Sequence, residues 1–137
     1  MDLSSEDGAT KPIRILICNK YTLFREGLKA LLQQGVPVEV AAEAGTAKEA
    51  IQKMARIKPD VVLLDATISD ISGSKAVKKL RSVDPNVKIL ILSMDDDEPL
   101  VRSCLDAGAV GYIRKNDSAI SLKRMINQTC GREARAA

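Results

Sequence analysis

Apolar residues along this chain recur in two alternating rhythms. Short runs rich in Ile, Val and Leu give way to longer stretches in which apolar positions return every three or four residues, with polar punctuation between them. The runs Ile13–Cys18, Val38–Ala42, Val61–Asp65, Lys88–Ser93 and Gly111–Ile113 read as strands. Helical spacing follows each one. Phe24, Leu28, Leu31 and Leu32 form a first stripe, and Ala47, Ala50, Ile51, Met54 and Ala55 a second, opened by Thr46 and Glu49 as a capping box. Ala76, Val77, Leu80 and Val83 line a third helix, and Leu100, Val101, Cys104 and Leu105 a fourth. The fifth carries Leu122, Met125, Ile126, Thr129 and Cys130, with Ser118 as its N-cap. Gly35, Pro59, Pro85 and Gly108 stand where helices should stop.

Strands alternating with helices call for a parallel sheet covered on both faces. Val61–Leu64 and Ile89–Leu92 are continuously apolar and so belong at its centre. The right-handed crossover rule leaves few arrangements, among them the flavodoxin-like (βα)5 order 2-1-3-4-5, with helices 1 and 5 on one face and 2, 3 and 4 on the other. In that order the functional crevice lies beyond the carboxyl ends of strands 1 and 3. Cys18, Asn19 and Lys20 follow the first of these, and Asp65, Ala66 and Thr67 the second; Ser93 and Lys115 end strands 4 and 5 nearby.

Composition narrows the function. The chain has 137 residues, enough for one domain, expected over residues 12–131. Residues 1–11 are small and polar and are expected to be a disordered leader; 132–137 read as a tail or the start of a linker to an effector domain absent from this chain. The net charge of +3 is spread along the sequence and forms no basic stripe, so no nucleic-acid groove is expected of this domain. Three cysteines (Cys18, Cys104 and Cys130) are widely spaced thiols, which suits a reducing, cytoplasmic setting. No histidine is present, which argues against zinc. The apolar runs are far too short for a membrane span.

Read from residue types alone, the rim holds one carboxylate (Asp65), one hydroxyl (Ser93) and one ammonium (Lys115), with Lys20 beside them. Two readings stay open. Asp65 could accept a phosphoryl group, or it could pair with Lys115 and tie two strand ends together. The acidic run Asp95–Glu98 before the fourth helix reads as a complement to the helix dipole, with Pro99 in the first turn, in preference to a metal loop. A hydrolase or phosphotransferase is disfavoured, because Asp65-Ala66-Thr67 lacks a second aspartate and no histidine can serve as base.

Five segments carry a resemblance. Ile13–Leu32 (IRILICNKYTLFREGLKALL), Val38–Gly45, Pro59–Asp65 (PDVVLLD), Val87–Met94 (VKILILSM) and Ala107–Lys115 (AGAVGYIRK) resemble, in order and spacing, the receiver domains of NarL/FixJ-type response regulators with LuxR-type output. The resemblance implies that Asp65 accepts phosphate from a histidine kinase, that Ser93 and Lys115 contact the phosphoryl group, and that Tyr112 is the aromatic switch. It implies Mg²⁺ held by Asp65, by the backbone carbonyl of Thr67 and by an acidic pair ending strand 1. Homodimerisation is a further expectation of the resemblance.

The pattern departs at that pair. Its positions are expected at Cys18 and Asn19, of which only Asn19 offers an oxygen, a weaker ligand than a carboxylate, while a thiol is mismatched to a hard cation. Carboxylates about 4 Å apart repel by up to ~4 kcal/mol per pair at an effective dielectric of 20, and a divalent ion relieves that repulsion. With Asp65 alone, both the repulsion and the attraction for metal vanish, and Lys115 suffices to neutralise it. The implied function is an atypical receiver with weakened or lost Mg²⁺-dependent aspartyl phosphorylation and output through partner or dimer contacts. No cofactor is then expected, Mg²⁺ entering only if the pocket is still competent. The alternative is a competent receiver that controls transcription through a DNA-binding domain absent from this chain.

Overall fold

Strands and helices alternate from β1 to α5. In chain order they are β1 (Ile13–Cys18), α1 (Thr22–Leu32), β2 (Val38–Ala44), α2 (Ala47–Ile57), β3 (Val61–Asp65), α3 (Gly73–Val83), β4 (Lys88–Ser93), α4 (Glu98–Ala107), β5 (Gly111–Arg114) and α5 (Ala119–Thr129). This computed structural model describes residues 11–34, 37–68, 70–93 and 98–131. Most of the expected leader, the stop at Gly35, the residues Asp95–Asp97 and the tail 132–137 lie outside the described residues.

All four strand pairings are parallel and the sheet order is β2-β1-β3-β4-β5, the flavodoxin-like arrangement that the crossover rule allowed. Every residue of β3 is buried, as is β4 after Lys88, which fits their central places. Strand β2 runs two residues past its expected end. The register slips between Ile15 and Leu16, inserting an extra β2 residue, so β2 must extend to Ala44 to stay beside Cys18. Strand β5 also reaches one residue further, where Arg114 pairs with Ser93.

The pleat divides the core in two. Ile13, Ile15, Ile17, Val61, Leu63, Leu90 and Leu92 pack with Leu28 and Leu32 of α1 and with Leu122 and Ile126 of α5. Leu16, Cys18, Val62, Leu64, Ile89 and Ile91 face the other way, against Met54 of α2, Leu80 of α3 and Cys104 of α4. Of the large apolar members of the predicted stripes, two do not join either cluster. Leu31 and Val83 are 45% and 40% exposed, because each sits at the flank of its stripe near a helix end.

Helix ends follow local chemistry. Ser72, Thr46 and Ser118 cap α3, α2 and α5 through their side chains. The capping box of α2 is shifted by one residue, since Glu49 accepts from the N–H of Gly45 and not from that of Thr46. Helix α2 ends on Lys58, left-handed at φ 52° ahead of Pro59, and the Arg14 guanidinium covers the carbonyls of Ile57 and Lys58. Gly108 is left-handed after α4 at φ 125°, and a Cβ there would collide with the Arg81 side chain. Among the described residues no helix is long and apolar enough to cross a membrane.

Candidate functional site

Three polar residues are buried among those described, Asn19, Asp65 and Ser93, and all three lie at the carboxyl ends of the inner strands β1, β3 and β4. A polar group without water must find partners, so their shared location marks a built site. It coincides with the crevice at the switch point of the sheet.

The Asp65 carboxylate accepts four hydrogen bonds. Its Oδ1 takes the Thr67 backbone N–H at 2.8 Å and the Thr67 hydroxyl at 2.7 Å, the turn that an Asp two residues ahead of a Thr favours. Its Oδ2 takes Asn19 Nδ2 at 2.5 Å and Lys115 Nζ at 2.7 Å. The ion pair is largely shielded, with side-chain exposures of 3% for Asp65 and 18% for Lys115. Lys115 is delivered by the end of β5, where its backbone N–H bonds the Ser93 carbonyl at 2.8 Å. Its ammonium also lies 5.5 Å from the centre of the Phe24 ring on α1, a cation–π contact that helps to hold it inward. Gly73 opens α3 so close to this turn that a Cβ would stand 3.0 Å from the Ala66 carbonyl oxygen, which lets the chain fold tightly behind Asp65.

Asn19 is fixed from all sides. Its backbone N–H continues the β1–β2 ladder to Ala44, its carbonyl accepts from Arg25, and its side-chain oxygen accepts the Tyr21 N–H at 2.8 Å. The amide therefore presents its N–H₂ to Asp65 and spends its oxygen on its own loop, the reverse of the ligand role anticipated for it. Arg25 is held in turn by Glu43 at 3.0 Å.

Cys18 is not on the rim. As the last residue of β1 it pairs with Leu64, and the pleat turns it into the cluster beneath α2, where it is fully buried with its Sγ 3.5 Å from the Thr46 carbonyl. Burial, with the Asp70, Asp65 and Glu49 carboxylates adding to it against the opposing Arg25, pushes its thiol up to about 12. The rim residues after β1 are Asn19 and Lys20, and Lys20 is exposed, its Nζ 5.1 Å above the Tyr21 ring.

Ser93 is buried at the end of β4, one residue beyond Leu92, the register partner of Asp65. Tyr112 is 40% exposed on the edge strand β5, and no hydrogen bond joins it to Ser93. Thr67 sits beside Asp65 as a donor through both N–H and hydroxyl, a role that the Asp-x-Thr spacing could have revealed. Among the described residues no group of three or more His, Cys, Asp or Glu stands close enough to hold a metal.

A doubly wound sheet whose switch point carries a single buried aspartate, flanked by a hydroxyl and a lysine from the next two strands, defines a signalling α/β domain of the receiver type. The response regulator receiver domain model matches residues 15–127, and the chain belongs to that family. It is the receiver domain of a two-component response regulator. Among its relatives, the transcriptional regulatory protein DegU of Brevibacillus brevis is 36% identical over 110 residues, covering 80% of this chain and 47% of that protein. LnrK of Bacillus subtilis, also a transcriptional regulatory protein, is 34% identical over 83% of this chain and 52% of its own length. The chain thus spans about half the length of these relatives. The solved receiver domain of the NarL regulator of Mycobacterium tuberculosis superposes with a TM-score of 0.80 at 26% identity, covering 89% of this chain and 99% of that one. Phosphorylation is expected of this family, whose members generally use Mg²⁺ at the phosphorylation site, interact with histidine kinases and often dimerise.

Proposed function

We propose that this receiver works with weakened or lost Mg²⁺-dependent phosphorylation of Asp65, and that its output runs through contacts with a signalling partner or a second copy. The observation that carries this reading is the saturation of the Asp65 carboxylate by Thr67, Asn19 and Lys115. Attack on a phosphoryl group uses a carboxylate lone pair, and here each oxygen already accepts two hydrogen bonds. Releasing one means breaking a buried bond to an amide or an ammonium, which costs on the order of 1–3 kcal/mol.

The residues present fit Mg²⁺ poorly. The ion is hard and takes oxygens in a strict octahedron. Around Asp65, Asn19 offers its N–H₂, Lys115 its ammonium, and Cys18 faces away. An aspartate whose nearest neighbours are three donors needs no cation, and its own lysine already supplies the charge.

One observation favours the second reading, a phosphorylation-competent domain that receives phosphate from a histidine kinase and acts on transcription through a DNA-binding half. Lys115 and Thr67 bond Asp65, and Ser93 follows Leu92, the register partner of Asp65, which supports a role for all three at a phosphoaspartate. The relatives' longer chains and their designation as transcriptional regulatory proteins are in keeping with that whole-protein role.

Acetyl phosphate with Mg²⁺, followed by intact mass measurement, separates the two. The wild-type chain is expected to gain little phosphoryl mass, and its melting temperature to respond weakly to millimolar Mg²⁺. Asn19→Asp with Lys20→Asp, which returns carboxylates to the rim positions, is expected to label on Asp65 and to melt higher as Mg²⁺ is added, since a ligand bound only by the folded state stabilises it. Asp65→Asn in the same background serves as the unlabelled control. Ready labelling of the wild type would establish the competent reading instead.

A further inference from the structure

The net charge of +3 is spread along the sequence, but the fold gathers it. Helix α3 carries Lys75, Lys78, Lys79 and Arg81, all exposed, and holds no acidic residue. Helix α2 packs beside it and adds the exposed Lys48 and Arg56. These two helices hold more positive charge than the whole chain nets, so the remainder of the chain is acidic. The acids close to this face are already committed. Glu49 binds Lys53 at 3.0 Å and the Gly45 N–H at 2.9 Å, while both oxygens of Asp70 accept backbone N–H groups of α2, from Ala47 and Lys48 at 2.9 Å each. Lys48, Lys75, Lys78 and Lys79 make no ion pair among the described residues, and Asp70 is the one carboxylate in the lining of the groove beside them.

Between α2 and α3 lies a groove of about 520 Å³. Half-buried Ile51 and Ile71 and the exposed Val83 give it an apolar floor, and Lys48 and Lys79 stand on its rim. We propose that this face docks an acidic amphipathic helix of a partner protein, its apolar side in the groove and its carboxylates on the lysines. Each wall is an eleven-residue helix, roughly 16 Å long at 1.5 Å per residue, which matches about three turns of a partner helix.

Other polyanions fit less well. The chain's aromatics, Tyr21, Phe24 and Tyr112, lie at α1 and β5, so nothing on this face stacks a base, and an apolar floor has no use for a phosphate backbone. A membrane surface calls for apolar side chains that project beyond the charges, whereas Ile51 and Ile71 are half-buried. The groove also touches the signalling site through the chain itself. Asp70 lines it, caps α2 and belongs with Thr67 to the β3–α3 connection that begins directly after Asp65. A partner here would act on the aspartate loop without any phosphoryl transfer.

The test is an amide NMR titration of the full chain with a synthetic helical peptide bearing Leu at i, i+3 and i+7 and Glu on the flanking positions. The expected result is shifts in α2, α3 and the connection from Thr67 to Ile71, weakening with added salt. Lys75→Glu with Lys79→Glu is expected to bind at least about tenfold more weakly, with an unchanged melting temperature because both side chains are exposed. Lys75→Gln with Lys79→Gln should fall between the two, and it serves if charge reversal disturbs the fold. The proposal is overturned if the peptide fails to bind or shifts another face. Equal binding by a peptide with Ser in place of Leu overturns it too, as does tighter binding of duplex DNA or of phosphatidylglycerol vesicles.

Discussion

The central strands and the rim one residue beyond them are built on opposite principles. In β3 and β4, Val61–Leu64 and Ile89–Leu92 are buried to 2% exposure or less and pack into the two hydrophobic clusters. Their contribution scales with area removed from water, and a volume-conserving exchange costs little. At Asn19 and Asp65 burial is just as complete, yet each polar atom is answered by a particular donor or acceptor. The core tolerates substitution of kind and suffers from loss of volume. The rim tolerates neither, because removing one partner strands the other without water. A receiver can therefore keep its fold intact while its chemistry drifts, since one or two rim residues decide the chemistry and dozens of contacts hold the sheet.

The largest effect is expected in the core. Leu63→Ala removes a fully buried side chain and should destabilise the chain by about 2–5 kcal/mol, read by urea denaturation. A loss below about 1 kcal/mol would mean that the strands are not closely packed there. Next comes the rim. Lys115→Met leaves Asp65 buried with three donors and no cation, and a cost of about 1–3 kcal/mol is expected, because 18% exposure of the lysine already screens part of the pair. Asp65→Asn made in that background should recover some of the loss, so a double-mutant cycle reads the coupling directly. Additive effects would show that the pair contributes nothing specific.

The smallest effect lies away from the rim, at the start of α2. The Gly45 N–H and then Lys53 hold the Glu49 carboxyl below its ordinary value of 4.5. For Asp70, burial pulls upward, but the backbone N–H groups of Ala47 and Lys48 outweigh it and hold the carboxyl below 3.8. Both folded values are depressed, so the stability from these contacts is complete above the unfolded values and is lost as pH falls through the folded ones. Protection factors for hydrogen exchange at Gly45, Ala47 and Lys48, corrected for the intrinsic pH dependence, should fall as pH drops below about 4 while the β3 amides stay protected, and Asp70→Asn should flatten that dependence at Ala47 and Lys48. Uniform loss of protection across β3 and α2 would instead mean that acid acts on the whole fold.

Hydrophobic period alone determined the five strands, the five helices and the central places of β3 and β4, because a side chain's burial is written in its type and spacing. It also put Asp65, Ser93 and Lys115 at strand ends, so that a parallel sheet had to bring them to one edge. Three matters were left to the tertiary structure. Whether Cys18 or Asn19 meets Asp65 depends on a one-residue phase at the end of β1, and a shift of one flips a side chain to the other face. Which atoms of Asn19 and Thr67 face the carboxylate depends on turns closed by Tyr21 and by Asp65 itself, contacts that no periodicity encodes. The basic face of α2 and α3 arises because the fold sets two helices side by side that are some twenty-five residues apart in the chain. Burial is a property of single residues and so can be read along a line, whereas pairing and charge density belong to neighbours that only folding supplies.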